Sequence, residues 1–503
     1  MLGGFGVVSM TSTGRGMGWV CFLGCLGLAR AGVGQSAEDD AAGWGSDSRS
    51  EVEVEPVSRA PEQRALRLDL ALRERAGFWM ERAEPSRLSQ LRSSLEASAA
   101  YSRDFTLDGA AASVRAAAGL RGEYDAAYLF ARDAYAAETL RAYELRLIPL
   151  EMFVGLKVGM LELRSGRMIS VLGQGELQSA VDVLNPRDLR QVGLTDLDRI
   201  RLPMWTTRIS LSDASVRLEA FIVHEAYFGI LPPLLGRFSP VRKLLTTPSG
   251  GSSELGLHAF RVRHVPEGFH PPATQFVGRY GFTGSGLDLD VYAGSVLDQL
   301  GVAALPPPDR FRSHTVQLDL YHPRYTLVAL AGAKTIADWV LRFELAANLR
   351  RTQSVRNLTY AVPVIEARRY TQLTGLIGVT YFGLTDINLG AELMQSYVLD
   401  NPARERGSQR ALLWPVEAPS LSLRYQHLLF NQRFQLSLLG LFIGIAPFNG
   451  ALISASFAYF PRDGLALRIE YAHYEASSHF GYFYGFEDND RLDLSLAWSV
   501  SVL

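Results

Sequence analysis

The chain has 503 residues, a formal net charge of -2, 48% hydrophobic and 20% charged residues. A mean hydropathy of +0.05 is high for a soluble protein of this size and far too low for a bundle of membrane helices. The near-neutral charge gives no electrostatic argument for nucleic acid as a partner, and no apolar run of 18 residues follows the N-terminal segment.

Residues 1–37 have the layout of a secretory signal peptide. Arg15 is the positive charge, Trp19 through Leu28 form the apolar core, and Ala29, Ala31, Gly32, Gly34, Ser36 and Ala37 are the small residues beyond it. Cleavage after Ala31 or after Ala37 fits, and Met10 or Met17 is an alternative start. Two other readings are a short buried helix and a lipoprotein signal at Cys25, preceded by Phe22-Leu23-Gly24. Both cysteines, Cys21 and Cys25, fall inside this segment. The mature chain would then carry none, which suits passage through an oxidising compartment.

Residues 38–63 are polar and acidic, with Glu38, Asp39, Asp40, Asp47, Glu51, Glu53 and Glu55. Such a stretch cannot bury enough apolar surface to fold alone. It reads as a flexible periplasmic arm.

From residue 64 to 503 the pattern has period two. Leu66, Leu68, Leu70 and Leu72 alternate with Arg67, Asp69, Ala71 and Arg73. The same holds for Tyr143, Leu145 and Leu147 around Glu144 and Arg146, and for Trp339, Leu341, Phe343 and Leu345 around Arg342 and Glu344. It recurs in Leu421, Leu423 and Tyr425 around Arg424, and in Leu465, Leu467, Ile469 and Tyr471 around Arg468 and Glu470. The last segment runs Leu492 to Val502, with Asp493 on its polar face. Successive strand side chains point to opposite faces. Three features favour a transmembrane barrel over a soluble sandwich. Several segments reach the roughly 9–11 residues that span a bilayer. Full charges sit in mid-strand on the polar face, as in a hydrated lumen. Aromatics gather near strand ends, as in Tyr381-Phe382, Tyr459-Phe460 and the stretch from Tyr471 to Phe486. The fold class is therefore all-β: a transmembrane antiparallel barrel of about 16–20 strands, even in number.

Counting back from Leu503 puts the connections at Phe460–Gly464, Phe430–Gln432, Gly383–Thr385 and Thr335–Ala337 on the periplasmic side, all of them short. Those at 475–489, 399–416 and 350–368 fall outside and are long, and Pro447–Asn449 is short. Tyr321-His322-Pro323-Arg324 is a turn or a bulge.

Residues 174–203 break the alternation. Asn185-Pro186 is a turn signal, because proline pushes its predecessor out of the α region. Gln174, Glu176, Asp182, Asn185, Arg187, Asp188, Arg190, Asp196, Asp198, Arg199 and Arg201 are the candidate site residues of a segment folded into the lumen. Their lumen-facing counterparts on the wall are Arg146, Arg342, Glu344, Arg424, Arg468, Glu470 and Asp493. The alternative is an ordinary loop held by Asp and Arg pairs. Residues 226–272, with Ile230 to Leu235 and Val241 to Leu245 as apolar pieces, read as a packed cap, a plug or a mobile loop.

A resemblance rests on Leu163-Arg164-Ser165-Gly166-Arg167, Gly173-Gln174-Gly175, Asp182-Val183-Leu184-Asn185-Pro186-Arg187-Asp188-Leu189 and Arg201-Leu202-Pro203. A second piece is His322-Pro323-Arg324-Tyr325 leading to Leu341-Arg342-Phe343-Glu344. Over about residues 139–503 the chain resembles a bacterial outer-membrane barrel family catalogued as a domain of unknown function. It departs at Leu172-Gly173, where that family often has Trp-Gly. The resemblance implies an outer-membrane barrel of a Gram-negative bacterium, sometimes encoded near RND-type exporters and periplasmic lipid-handling proteins, which would be its partners besides outer-membrane lipid. The solute would be hydrophobic or lipid-like if that company is a guide.

No phosphate loop, dinucleotide glycine pattern or zinc motif appears, and no cofactor is expected. His473 and His479 lie near Glu475 and Asp488, but a metal site would need a further converging ligand. Phe480, Tyr482, Phe483, Tyr484 and Phe486 read as an interfacial girdle or a stacking surface. The outward phase of the last strand is Trp498, Val500 and Val502, so the chain ends at Leu503 on the other phase. Function is read as a channel or transport conduit. A closed barrel whose loops bind a partner is the second reading, and a barrel-embedded lipid-modifying enzyme the third.

Overall fold

The computed structural model describes residues 66–80, 86–135, 137–193, 197–233, 236–239, 259–266, 268–269, 271–304, 315–357, 364–405, 408–412, 416–444, 449–476, 483 and 485–502. The signal segment, the acidic arm, His479 and Leu503 lie outside them.

Eighteen of the strands form one closed antiparallel wall. They are β1 (Leu66–Trp79), β2 (Leu88–Leu107), β3 (Ala110–Asp125), β4 (Leu145–Val158), β5 (Leu161–Met168) and β6 (Met204–Ser212). Next come β7 (Val216–Val223), β8 (Gln275–Gly284), β9 (Leu287–Leu297), β10 (Arg324–Ile336), β11 (Trp339–Asn357) and β12 (Val364–Leu384). The last are β13 (Ile387–Val398), β14 (Ser420–Leu429), β15 (Phe434–Ile443), β16 (Gly450–Arg462), β17 (Leu465–Glu475) and β18 (Arg491–Val502). Each pairs with its neighbour in sequence. β1 closes the ring on β18, from Leu68 opposite Val502 to Trp79 opposite Arg491. Closure leaves no edge for another chain to pair with. A short strand, Arg410–Leu412, adds to the rim beside 355–357.

The two ends of the barrel differ. Both termini and the short turns share one end. There Asp108-Gly109 and Ser285-Gly286 connect strands with positive φ at both central residues, the geometry that matches hairpin twist. The long connections share the other end. The connection expected at 350–368 is a correction: β11 continues to Asn357 and β12 begins at Val364. After a register shift between Asn348 and Arg351, where Arg350 takes a φ of 58°, the ladder resumes as a tall hairpin. Tyr143 is also corrected. It ends a short helix, Ala137–Tyr143, and is buried at 4% exposure, so the alternation of β4 starts at Leu145.

The outer face is apolar. Leu68, Leu95, Leu147, Leu163, Ile209, Leu218, Tyr280, Leu345, Ile377, Leu423, Ile453, Ile469 and Trp498 are among its exposed side chains. The inner face is charged and paired. Around β5–β9, Arg208 contacts Glu162 at 3.1 Å, Arg279 contacts Glu219 at 3.2 Å, and Arg279 meets Asp290 at 2.8 Å. Buried charges persist only when paired, and this belt meets that demand strand by strand. Among the described residues no helix is long and apolar enough to cross a membrane.

Candidate functional site

The connection between β5 and β6, residues 169–203, enters the ring. Its first part is held by two wall carboxylates. Glu344 of β11 accepts backbone N–H from Gln174 (2.6 Å), Gly175 (2.7 Å), Ala180 (2.6 Å) and Val181 (3.2 Å), and the Ser179 hydroxyl at 2.9 Å. Glu392 of β13 accepts from the N–H groups of Glu176, Leu177 and Gln178 at 2.6, 2.8 and 2.7 Å. The segment returns the contact. Glu176 pairs with Arg342 of β11 and with Arg424 of β14, the latter at 2.6 Å. The Gln174 amide donates to Asp290 of β9 at 2.9 Å. A stretch without regular structure must satisfy its backbone donors somewhere, and here the wall supplies the acceptors.

The middle part folds on itself. Asn185 accepts from the Ser170 N–H at 2.8 Å and donates to the Leu202 carbonyl at 3.2 Å. Asp182 holds Arg201 at 2.9 Å and Arg187 at 3.5 Å. The backbones of Arg187 and Arg201 form a bridge.

The far part reaches the opposite wall. Arg190 contacts Asp188 at 2.5 Å and Glu123 of β3 at 2.9 Å. The Tyr143 hydroxyl donates to the Arg190 carbonyl, and the Tyr474 hydroxyl of β17 donates to the Val192 carbonyl. Arg199 pairs with Glu96 of β2 at 2.6 Å. Burial opposes ionisation of Asp188, but the adjacent Arg190 outweighs it and the carboxyl stays below its usual range. Burial likewise opposes the charge on Arg190, and Asp188 and Glu123 hold it above the usual range.

Nine of the eleven segment residues singled out from sequence are thus placed by named contacts. Asp196 lies outside the described residues, and of Asp198 only the backbone, in the helix Leu197–Ile200, is described. On the wall, Arg342, Glu344 and Arg424 engage the segment directly. Arg146 and Arg468 lie in the inward phase of β4 and β17. Glu470 is buried near Arg75 (3.7 Å) and Ser454, and Asp493 is buried against Arg491 at 2.7 Å.

Other residues at the site carried no periodic signal. Glu392 looks like any inward strand charge. Phe483 and Phe486 are fully buried with Leu189, Val192, Ile200, Phe238, Leu452 and Tyr474. That corrects their reading as girdle residues; they are core to the segment's packing. The described part of 226–272 also docks here. Ile230 exchanges backbone hydrogen bonds with Arg187 and Leu189 at 3.1 and 2.9 Å. A second apolar cluster seats Leu172, Val181 and Leu184 on Val223, Val277, Tyr292 and Leu327 of the wall. His473 bonds Asp490 at 2.6 Å. No cluster of three metal-ligating side chains occurs among the described residues.

The segment separates two cavities. One lies towards β1–β3, lined by Arg73, Arg75, Arg92, Arg121, Arg190 and Arg199 with Glu123 and Asp188. The other lies towards β10–β13.

No protein-family model matches the chain, and no curated protein matches it in sequence. Solved structures do. OccAB3 of Acinetobacter baumannii aligns at a TM-score of 0.47 and 10% identity, covering 87% of this chain and 99% of that one. OccK1 (OpdK) of Pseudomonas aeruginosa aligns at 0.47 and 12%, covering 87% and 99%. OccK2 (OpdF) of Pseudomonas aeruginosa, in complex with glucuronate, aligns at 0.46 and 11%, covering 87% and 98%.

Proposed function

We propose that this chain is an outer-membrane conduit for polar solutes, constricted by residues 169–203. The observation that carries the reading is the anchoring of one segment to opposite walls, at Glu344 and Glu392 on one side and at Glu96 and Glu123 on the other. A bilayer tolerates strands only as closed barrels with an apolar outer band, and the wall has both properties. The termini and short turns would then face the periplasm. The inner wall is charged and hydrogen-bonded, which suits a polar solute better than the hydrophobic one expected from the family resemblance.

Six guanidinium groups line the cavity beside β1–β3, against Glu123 and Asp188 in the lining and Glu96, Asp125 and Glu470 paired to its arginines, an excess of one positive charge. A low-dielectric wall focuses such a field, so anions should pass in preference to cations. Reconstitution in planar bilayers tests both points. The expected result is ion conductance with a reversal potential on the anion side in a potassium chloride gradient, and a larger conductance when residues 176–200 are deleted. A lumen that never conducts, even after the deletion, would overturn the reading. The closed barrel with a docking role is then favoured, and the packing of Leu189, Val192 and Ile200 under Phe238, Phe483 and Phe486 is the observation on its side.

A further inference from the structure

The cavity towards β10–β13 has a chemistry unlike the arginine-rich one. Its volume is about 130 Å³, several times the roughly 30 Å³ of one water in the liquid. The charges that line it balance: Asp298 pairs with Arg351 at 2.8 Å, and Asp182 with Arg187 at 3.5 Å. The remaining polar lining is amide and hydroxyl. The Gln353 amide donates to Gln372 at 2.9 Å, the Gln372 amide donates to Thr374 and Ser396 at 3.3 and 3.1 Å, and Thr374 and Ser396 bond each other at 2.9 Å. Tyr325, Phe228 and Leu300 supply apolar surface.

Three of the residues lining this space each carry a buried atom with no hydrogen-bond partner among the described residues. The atoms are Asn348 Oδ1, Gln299 Oε1 and Asp182 Oδ1. Asn348 is 2% exposed. All three are acceptors. Burying an acceptor without a donor costs roughly 1–3 kcal/mol, a cost that a small turn of these side chains towards a donating guest would relieve. An ammonium group would meet no net charge here. A neutral guest with several hydroxyls meets acceptors, a donor–acceptor amide ladder and an aromatic wall.

We propose that this cavity is a binding site for a neutral polyhydroxylated solute of about monosaccharide size, held by Asn348, Gln299, Asp182 and the Gln372 amide ladder. The inference deepens the conduit reading by naming a solute class, and rests on that reading for the site's place on the path. Binding itself is independent of conduction.

The full barrel in detergent micelles is titrated with a methyl hexoside, with lysine as the ammonium comparator, and binding is followed by saturation-transfer NMR. Saturable hexoside binding is expected, weakened about five- to tenfold by Asn348→Leu and by Gln299→Met, the range set by one lost hydrogen bond. Heat-modified mobility on a gel identifies folded variants, and Ser89→Ala, remote from the cavity, serves as the unchanged control. Absence of saturable hexoside binding to the parent protein, binding that neither substitution weakens, or saturable binding of lysine alone would each overturn the proposal. Conductance, measured separately, bears only on the conduit reading.

Discussion

Glu344 is the residue on which the lumen segment hangs. One carboxylate accepts four backbone N–H groups and one hydroxyl. Charge-assisted bonds of this kind are about twice as strong as neutral ones. Glu344→Gln would turn a donor toward N–H groups and leave several of them buried without an acceptor. The expected cost is about 2–3 kcal/mol, with proteolytic cleavage appearing between Gln174 and Val181 in the folded barrel. Uncut protein under those conditions would refute the anchoring role. His322 lies in the connection before β10, at the long-loop end of the barrel. Its Nδ1–H donates to the Asp298 carbonyl at 2.7 Å and its Nε2 accepts from His264 at 2.9 Å, a tautomer assigned from its partners. Burial, reinforced by the neighbouring His264, pushes its pKa down from 6.5 to about 4, against the hydrogen bond to Asp298. Between these two values the unfolded chain binds a proton that the native ring refuses. Native stability therefore falls as pH drops through 6.5 towards 4 and levels below it, by about 3 kcal/mol in full. Unfolding midpoints from pH 7 to pH 4 should show this slope, and His322→Gln should flatten it.

At the scale of elements, the wall was legible in the sequence and the segment partly so. Period-two alternation marks a strand with one apolar and one polar face, and β1, β11, β14, β17 and β18 follow it. What sequence could not supply is the partner of each inward charge. Arg342 and Glu344 alternate with Leu341, Phe343 and Leu345 whether they face water or bind a segment 160 or more residues away in the chain, as Glu344 binds Gly175, 169 residues away. Asn185-Pro186 was visible because turn chemistry is local. Phe483 and Phe486 were misread because an aromatic run carries no record of whether lipid or protein covers it. The tall hairpin of β11 and β12 was misread because polar residues above a membrane still pair as strands. The docking of residues 228–231 onto 187–189 depends on a close approach that leaves no room for a side chain. Gly229 has a φ of +84°, and a Cβ there would lie 2.2 Å from the Arg187 carbonyl oxygen. Gly229→Ala should detach this strap from the segment while the wall stays closed. Faster amide exchange at Leu189 and Ile230, without change in the wall strands, is the expected signature.

The two ends of the barrel as a whole are unlike. Eight of the strand-to-strand connections are tight, at 108–109, 159–160, 213–215, 285–286, 337–338, 385–386, 430–433 and 463–464, and all share the end with the termini. The other end carries the connections that hold the lumen segment, the Ile230 strap and the buried aromatics. A barrel inserted from the periplasm threads its long connections across and keeps its short ones behind. On that orientation the segment would be let down into the lumen from the outer side. The chain tests this cleanly, since Cys21 and Cys25 are its only cysteines and both lie in the signal-like segment. Single cysteines at Ala403, on the long-loop end, and at Asp338 or Asp463, on the short-turn end, occupy exposed positions. A membrane-impermeant maleimide added to intact cells should label Ala403→Cys, and should reach Asp338→Cys and Asp463→Cys only after the outer membrane is opened. The opposite pattern would invert the barrel and place the segment's entrance in the periplasm.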